Sequence, residues 1–120
     1  MTFVEFISQL HDSKQQSIVW HHQTTSYAEH KALNNYYDEI LEKIDDLVES
    51  VSGTYGRPVN YSVAPLQNYK DNAQLQTYFK SLYEFVQKER KTIYQDSWIQ
   101  NQVDEVAQLI SKTLYLLTLK

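Results

Sequence analysis

The sequence predicts an all-α protein with four helices, and three observations lead to that class. The 120-residue chain contains only two glycines and two prolines, whereas folds built from strands use more of both in their turns. Apolar side chains recur at intervals of three and four residues over four long segments, as they do along helices with one buried face. The length suits one domain with one modest core, which we place over residues 1–120.

The first two helices are predicted on either side of a short polar break at residues 24–26. Ser26 and Glu29 have the spacing of a capping box, in which each side chain satisfies an exposed backbone amide. The second helix then continues until Gly53, because glycine favours the end of a helix. The first helix covers about residues 3–23 and begins with Phe3, Phe6, Ile7 and Leu10; the stripe of the second is Leu33, Tyr37, Ile40, Ile44, Leu47 and Val51.

Two further helices are predicted after residue 70 from the same spacing of apolar residues. The fourth begins near Asp96 or Ser97, and Gln100 has the spacing for a second capping box. The apolar positions are Leu75, Tyr78, Phe79, Leu82, Phe85 and Val86 in the third helix, and Ile99, Val103, Val106, Ile110, Leu114 and Leu117 in the fourth.

Residues 53–70, "GTYGRPVNYSVAPLQNYK", contain both glycines and both prolines and show no periodicity. Such a segment is longer than most turns between neighbouring helices. The second helix should be roughly 40 Å long, and extended residues in this number can span that length. The sequence therefore predicts a ferritin-like four-helix bundle with one long crossover between helices 2 and 3. A simple up-and-down bundle with a loose middle loop is the alternative.

Composition and charge exclude several classes of site and partner. The chain has no cysteine, which removes disulfides and thiolate sites and agrees with a reducing cytoplasm. No apolar stretch is long enough to span a membrane, and the first residues lack the pattern of a secretion signal. Residues 1–60 carry a net charge of −5 and residues 61–120 a net charge of +1, with no basic tail. We therefore expect a cytoplasmic protein that binds neither nucleic acid nor membrane.

Three of the four histidines lie in "VWHHQTTSYAEHKAL", residues 19–33. On a wheel of the second helix, His30, Asp45 and Glu49 lie on one flank of the apolar face rather than at its centre. That position suits a groove closed by a second subunit. The chain has no Glu-x-x-His pair, which ferritin-like di-iron sites inside one bundle require. It also has no evident Ser-His-Asp set, so we assign no catalytic residue.

The stretch "YAEHKALNNYYDEILEKIDDLVESVSGTYGRP" resembles the second helix of Dps-type mini-ferritins. In that family an aromatic residue shortly precedes a histidine, an Asp follows fifteen residues later, and a Glu follows four after that, before a glycine-rich turn and a proline. The last 25 residues are similar to the family's last helix. The chain also resembles short ferritin-like proteins of tailed phages. The matching residues are Tyr27, His30, Asp45, Glu49, Gly53, Gly56 and Pro58.

The resemblance implies oxidation of ferrous iron at sites shared across the two-fold axis of a homodimer, or of a higher homo-oligomer. One subunit would supply His30 with His22 or His21, and the other Asp45 and Glu49. Imidazole and carboxylate ligands suit iron, and also zinc or manganese. The upstream histidine is closer than in the family, by roughly one helical turn. Asn34 also stands where the family has a carboxylate.

A second interpretation explains the same residues without a metal. The acidic side chains of the second helix are also what a solvated helix face contains, and a histidine at a helix junction can cap backbone groups. The chain would then be a non-catalytic ferritin-like scaffold that acts through protein–protein contacts. The sequence leaves open whether the protein is an enzyme.

Overall fold

The computed structural model describes all 120 residues and contains four helices and no strand, which confirms the predicted all-α class. None of the helices combines the length and the apolar character that a membrane crossing requires. The helices are α1 (Phe3–Gln23), α2 (Tyr27–Tyr55), α3 (Asn72–Glu89) and α4 (Ser97–Leu116).

The four helices pack lengthwise around one core in a molecule that measures 43 × 25 × 21 Å. α1 and α2 form one antiparallel hairpin, α3 and α4 form another, and α2 packs against α4. Aromatic contacts join α1 to α3, since Trp20 meets Tyr78 edge to face with ring centroids 5.1 Å apart. The largest fully buried side chains are Trp20, Tyr36, Phe6, Phe79, Ile7, Leu10, Leu33, Ile40, Ile44, Leu47, Leu75 and Ile99.

The segment between α2 and α3, residues 56–71, lies along α1 and carries the chain from one end of the molecule to the other. Its backbone amides donate to α1 side chains in rising order along both segments. The crossover therefore runs parallel to α1 and traverses the long dimension, as predicted. The donor and acceptor pairs are Ser62 to Ser8, Ala64 to Asp12, Gln67 to Gln16 and Tyr69 to Gln23.

Side chains of α1 hold the crossover because a lone extended segment has no neighbouring strand to pair with. The amide of Gln16 shows this most fully, because its Oε1 accepts from the Gln67 N–H over 2.8 Å and its Nε2 donates to the Gln67 carbonyl over 2.9 Å. Gln16 therefore bonds to both the N–H and the carbonyl of Gln67, as a residue of a neighbouring β-strand would. The outer side of the crossover remains open, with Val63 91% exposed.

Of the two predicted capping boxes, one is half formed and the other is absent, and the complete box in the structure was not predicted. The Ser26 hydroxyl does accept from the Glu29 N–H, but the Ser26 N–H donates to Thr24 rather than to Glu29. Gln100 donates to the carbonyls of residues 90 and 94 and caps nothing in α4. The complete box joins Thr2 and Glu5 at the start of α1, and its Thr-x-x-Glu spacing was readable in the sequence.

The prediction that Gly53 ends α2 is wrong. The helix continues to Tyr55 and ends at Gly56, which has a φ of 90°. The extra turn positions the Tyr55 ring on that of Tyr94, with centroids 3.8 Å apart and planes 6° apart. The Tyr55 hydroxyl also donates to Asp96 over 2.7 Å. These contacts favour the longer helix over an earlier end at the first glycine.

Candidate functional site

The antiparallel α1–α2 hairpin brings His21, in the last turn of α1, next to His30, in the first turn of α2. The His21 Nδ1 atom lies 2.8 Å from the His30 carbonyl oxygen, and the His30 Nδ1 atom lies 3.1 Å from the His21 carbonyl oxygen. A carbonyl oxygen only accepts, so each Nδ1 atom must carry a hydrogen. In the neutral form of each ring, the lone pair is then on Nε2.

The two rings stack, with centroids 3.7 Å apart and planes 20° apart. Their exposures differ, because His21 is only 8% exposed whereas His30 is exposed. An ion or a second molecule can therefore reach the His30 side chain from solvent, whereas little of His21 is accessible.

His22 takes no part in this pair. Its side chain is exposed, and its ring contacts that of His21, with centroids 5.5 Å apart and planes tilted by 53°. The structure thus places His21, rather than His22, beside His30. The sequence left that choice open because adjacent residues on a helix point about 100° apart, and only the packing of α2 selects one of them.

Asp45 and Glu49 lie on α2, one turn apart, and both are exposed. Neither carboxylate makes a hydrogen bond or an ion pair within the chain. Fifteen residues of helix separate Asp45 from His30, a distance of roughly 22 Å along the axis. No group of three or more histidine and acidic side chains comes close enough in one chain to hold a metal ion. The predicted ligands His30, Asp45 and Glu49 therefore do not come together within one chain.

Asn34, the residue that replaces an expected carboxylate, is paired within its own helix. Its side-chain amide donates to Asp38 over 2.9 Å.

Two tyrosines flank the histidine pair. Tyr37 meets the His21 ring edge to face at 5.2 Å, and the exposed Tyr27 ring lies 6.3 Å from that of His30.

Next to His30 in sequence, Glu29 is buried at 3% exposure although no cation pairs with it. Its carboxylate accepts from the Thr24 hydroxyl over 2.5 Å, the Tyr69 hydroxyl over 2.8 Å and the Asn72 amide over 2.7 Å. Burial, followed by the hydrogen bond to Glu29, raises the pKa of Tyr69. The sequence indicated only a capping role for Glu29, because two of its three donors, Tyr69 and Asn72, lie in distant segments.

The remaining histidine, His11, lies away from this junction and near the crossover. Its half-buried ring meets Tyr61 edge to face, with centroids 5.5 Å apart. Burial lowers the pKa of His11, and the neighbouring Lys14 lowers it further. A neutral imidazole in packing contact with the crossover is therefore the role that the structure supports for this residue.

The chain belongs to DUF5856, a family of unknown function whose sequence model matches residues 21–117. The matched region begins at His21 and includes His30, Asp45 and Glu49. No curated protein and no solved structure matches the chain.

Proposed function

We propose that this member of a family of unknown function is a divergent ferritin-like protein that binds a divalent metal, above all iron, at sites shared between two chains. The observation that carries this proposal is the 3.1 Å contact between the His30 Nδ1 atom and the His21 carbonyl. Histidines that ligate metals usually donate their other ring N–H to a carbonyl or carboxylate, which orients the free nitrogen. His30 combines that arrangement with an exposed ring.

The carboxylate half of the site would come from Asp45 and Glu49 of the partner subunit. Both are exposed, unpaired and on the same flank of α2 as His30. A two-fold axis across the middle of α2 would pair this helix with its antiparallel copy. Each His30 would then meet the two carboxylates of the partner subunit, and the dimer would contain two equivalent sites.

The outer flank of α2 also carries features that favour this pairing. Tyr27 and Leu41 are 65% and 41% exposed there, so the face offers apolar area as well as polar groups. The basic Lys31 follows His30 near one end of α2, whereas Asp45 and Glu49 lie toward the other end. Antiparallel pairing places unlike ends against each other, which favours the correct register.

The resemblance to Dps-type mini-ferritins supports the oxidation of ferrous iron as the chemistry of such a site. His30, Asp45 and Glu49 would hold the ion. Asn34 stands where that family has an additional carboxylate, and its side chain is bonded to Asp38, so weaker binding than in the family is expected.

Light scattering and iron titration test the proposal together. The parent should be a dimer at tens of micromolar, roughly the range in which specific interfaces persist. His30→Ala and Asp45→Ala should each lose binding, and refolding them as a mixture should restore about a quarter of the parental sites, because half of the dimers are mixed and each has one intact site. Asp46→Ala is the matched control, since this exposed neighbour lies off the flank. Parent-like binding by both variants would exclude the shared metal site.

A non-catalytic scaffold is the second candidate, and the crossover is the observation in its favour. Exposed apolar side chains follow one another along this segment, and such patches commonly mark protein–protein contacts. They are Val59, Tyr61, Val63 and Leu66. If the titration finds no site while the chain still dimerises, the scaffold becomes the better account of the fold.

A further inference from the structure

We infer that His30 is the only imidazole that each chain contributes to the shared site, and that His21 is a positioning residue rather than a ligand. This inference rests on the proposed function. It departs from the expectation that two histidines of one chain, His30 with His21 or His22, hold the same ion.

The stacked geometry of the pair gives the main reason. The lone pair of an imidazole nitrogen lies in the plane of the ring, so a ligated ion must lie close to that plane. The His21 and His30 planes are only 20° from parallel and their centroids are 3.7 Å apart. An ion about 2 Å from one Nε2 atom cannot lie in both planes. The two rings therefore cannot bind one ion as they stand.

Rearrangement of the pair would require the loss of several contacts at once. Rotation of the His21 ring would break its hydrogen bond to the His30 carbonyl and its edge-to-face contact with Tyr37. The ring is also nearly buried, so an ion held by a partner subunit could reach it only through a change in the hairpin. His22 offers no substitute, because its ring contacts His21 and not His30.

His21 instead orients His30 in two ways. Its carbonyl oxygen accepts from the His30 Nδ1–H, which selects the tautomer with a free Nε2. Its ring packs flat against that of His30 and limits rotation of the ligand. The hydrogen bond is made to the backbone carbonyl of His21, so it remains when the side chain is substituted. The stacking requires only a flat ring at this position.

The resulting donor set is one imidazole nitrogen with two carboxylates, and it is rich in oxygen. Carboxylate-rich sites accept Mn²⁺ readily, so Mn²⁺ alone can serve as the probe. The electron paramagnetic resonance signal of free Mn²⁺ decreases on binding and reports the dissociation constant without any assay of activity.

The test compares His21→Phe with His30→Phe in the full chain. Phenylalanine keeps a flat ring and the backbone carbonyl but has no ring nitrogen. We expect His21→Phe and His22→Phe to bind Mn²⁺ within about threefold of the parent and His30→Phe to lose at least about tenfold, as removal of a ligand should. Equal losses in His21→Phe and His30→Phe would overturn the inference and leave the proposed function standing. Parent-like binding by His30→Phe, or no binding by the parent, would overturn both.

Nitrogen-15 spectra of the parent supply a second measurement that does not depend on any variant folding. Without metal, His30 should show the Nδ1–H tautomer, which the free histidine side chain disfavours. On addition of diamagnetic Zn²⁺, the Nε2 resonance of His30 should show the large shift of a ligated nitrogen, and that of His21 should not. Ligation shifts at both residues would overturn the inference.

Discussion

The Asn72 side-chain amide donates to the buried carboxylate of Glu29 over 2.7 Å, although 43 residues separate the two in sequence. Asn72 is the first residue of α3, and Glu29 lies in the first turn of α2. The same amide nitrogen donates to the carbonyl of Leu117, just beyond α4. One carboxylate and one amide therefore hold together the end of the bundle at which His21 and His30 lie.

We expect Glu29→Ala to lower the free energy of unfolding by about 3 kcal/mol, because it removes the acceptor of three half-buried donors. The donors are those of Thr24, Tyr69 and Asn72. Urea denaturation monitored by circular dichroism measures the change. Glu42→Ala is the control, since Glu42 is exposed on the same helix without a partner, and it should change stability by less than about 0.5 kcal/mol. Equal effects of the two substitutions would contradict the assigned role of Glu29.

The two glycines should respond in opposite directions to alanine. Gly53 lies inside α2, and an added Cβ would meet nothing within 4 Å, so Gly53→Ala should stabilise the chain by up to about 1 kcal/mol. Gly56 has a φ of 90°, which an L side chain adopts only with strain, so Gly56→Ala should destabilise by about 1 kcal/mol. Thermal unfolding of the pair measures both changes. If Gly53→Ala destabilised the chain and Gly56→Ala stabilised it, α2 would instead end at Gly53.

Gln16→Ala should loosen the crossover without unfolding the core. The substitution removes both hydrogen bonds to the backbone of Gln67, so the amide of Gln67 should exchange with solvent faster. Chymotrypsin should also cut sooner after the exposed Tyr61. Gln15→Ala is the matched control, because its neighbouring side chain is exposed and makes no hydrogen bond. Unchanged exchange in Gln16→Ala would show that its amide does not hold the segment.

Stability should fall on mild acidification, and His11 should account for part of the loss. Its pKa is lowered in the folded chain from the ordinary value of 6.5, so the folded state binds fewer protons than the unfolded state in that range. The stabilising contribution is present above pH 6.5 and is lost as the pH falls toward the folded pKa. His11→Gln, compared with the parent by urea denaturation at about pH 7.5 and about pH 5, should lose less stability. Parallel losses would contradict this role.

Much of the fold was readable from local patterns. The interval of apolar residues predicted the four helices, because a helix buries one face whatever its neighbours are. The crossover followed from an aperiodic segment of sufficient reach, which contained both glycines and both prolines. The separation of His30 from Asp45 also followed from the rise of a helix alone, and it already required two chains for a shared site.

Contacts between distant segments decided the rest. α2 continues past Gly53 because Tyr55 packs on Tyr94, which lies 39 residues later. The Glu29 side chain does not complete its capping box, because it accepts instead from donors on the crossover and α3. His21 rather than His22 meets His30 because the packing of α2 selects one direction from the last turn of α1. In each case the local sequence permits more than one conformation or contact for the residue. A neighbour from a distant segment determines which of them forms. Periodicity within one helix carries no information about that neighbour, so only the tertiary structure could make the choice.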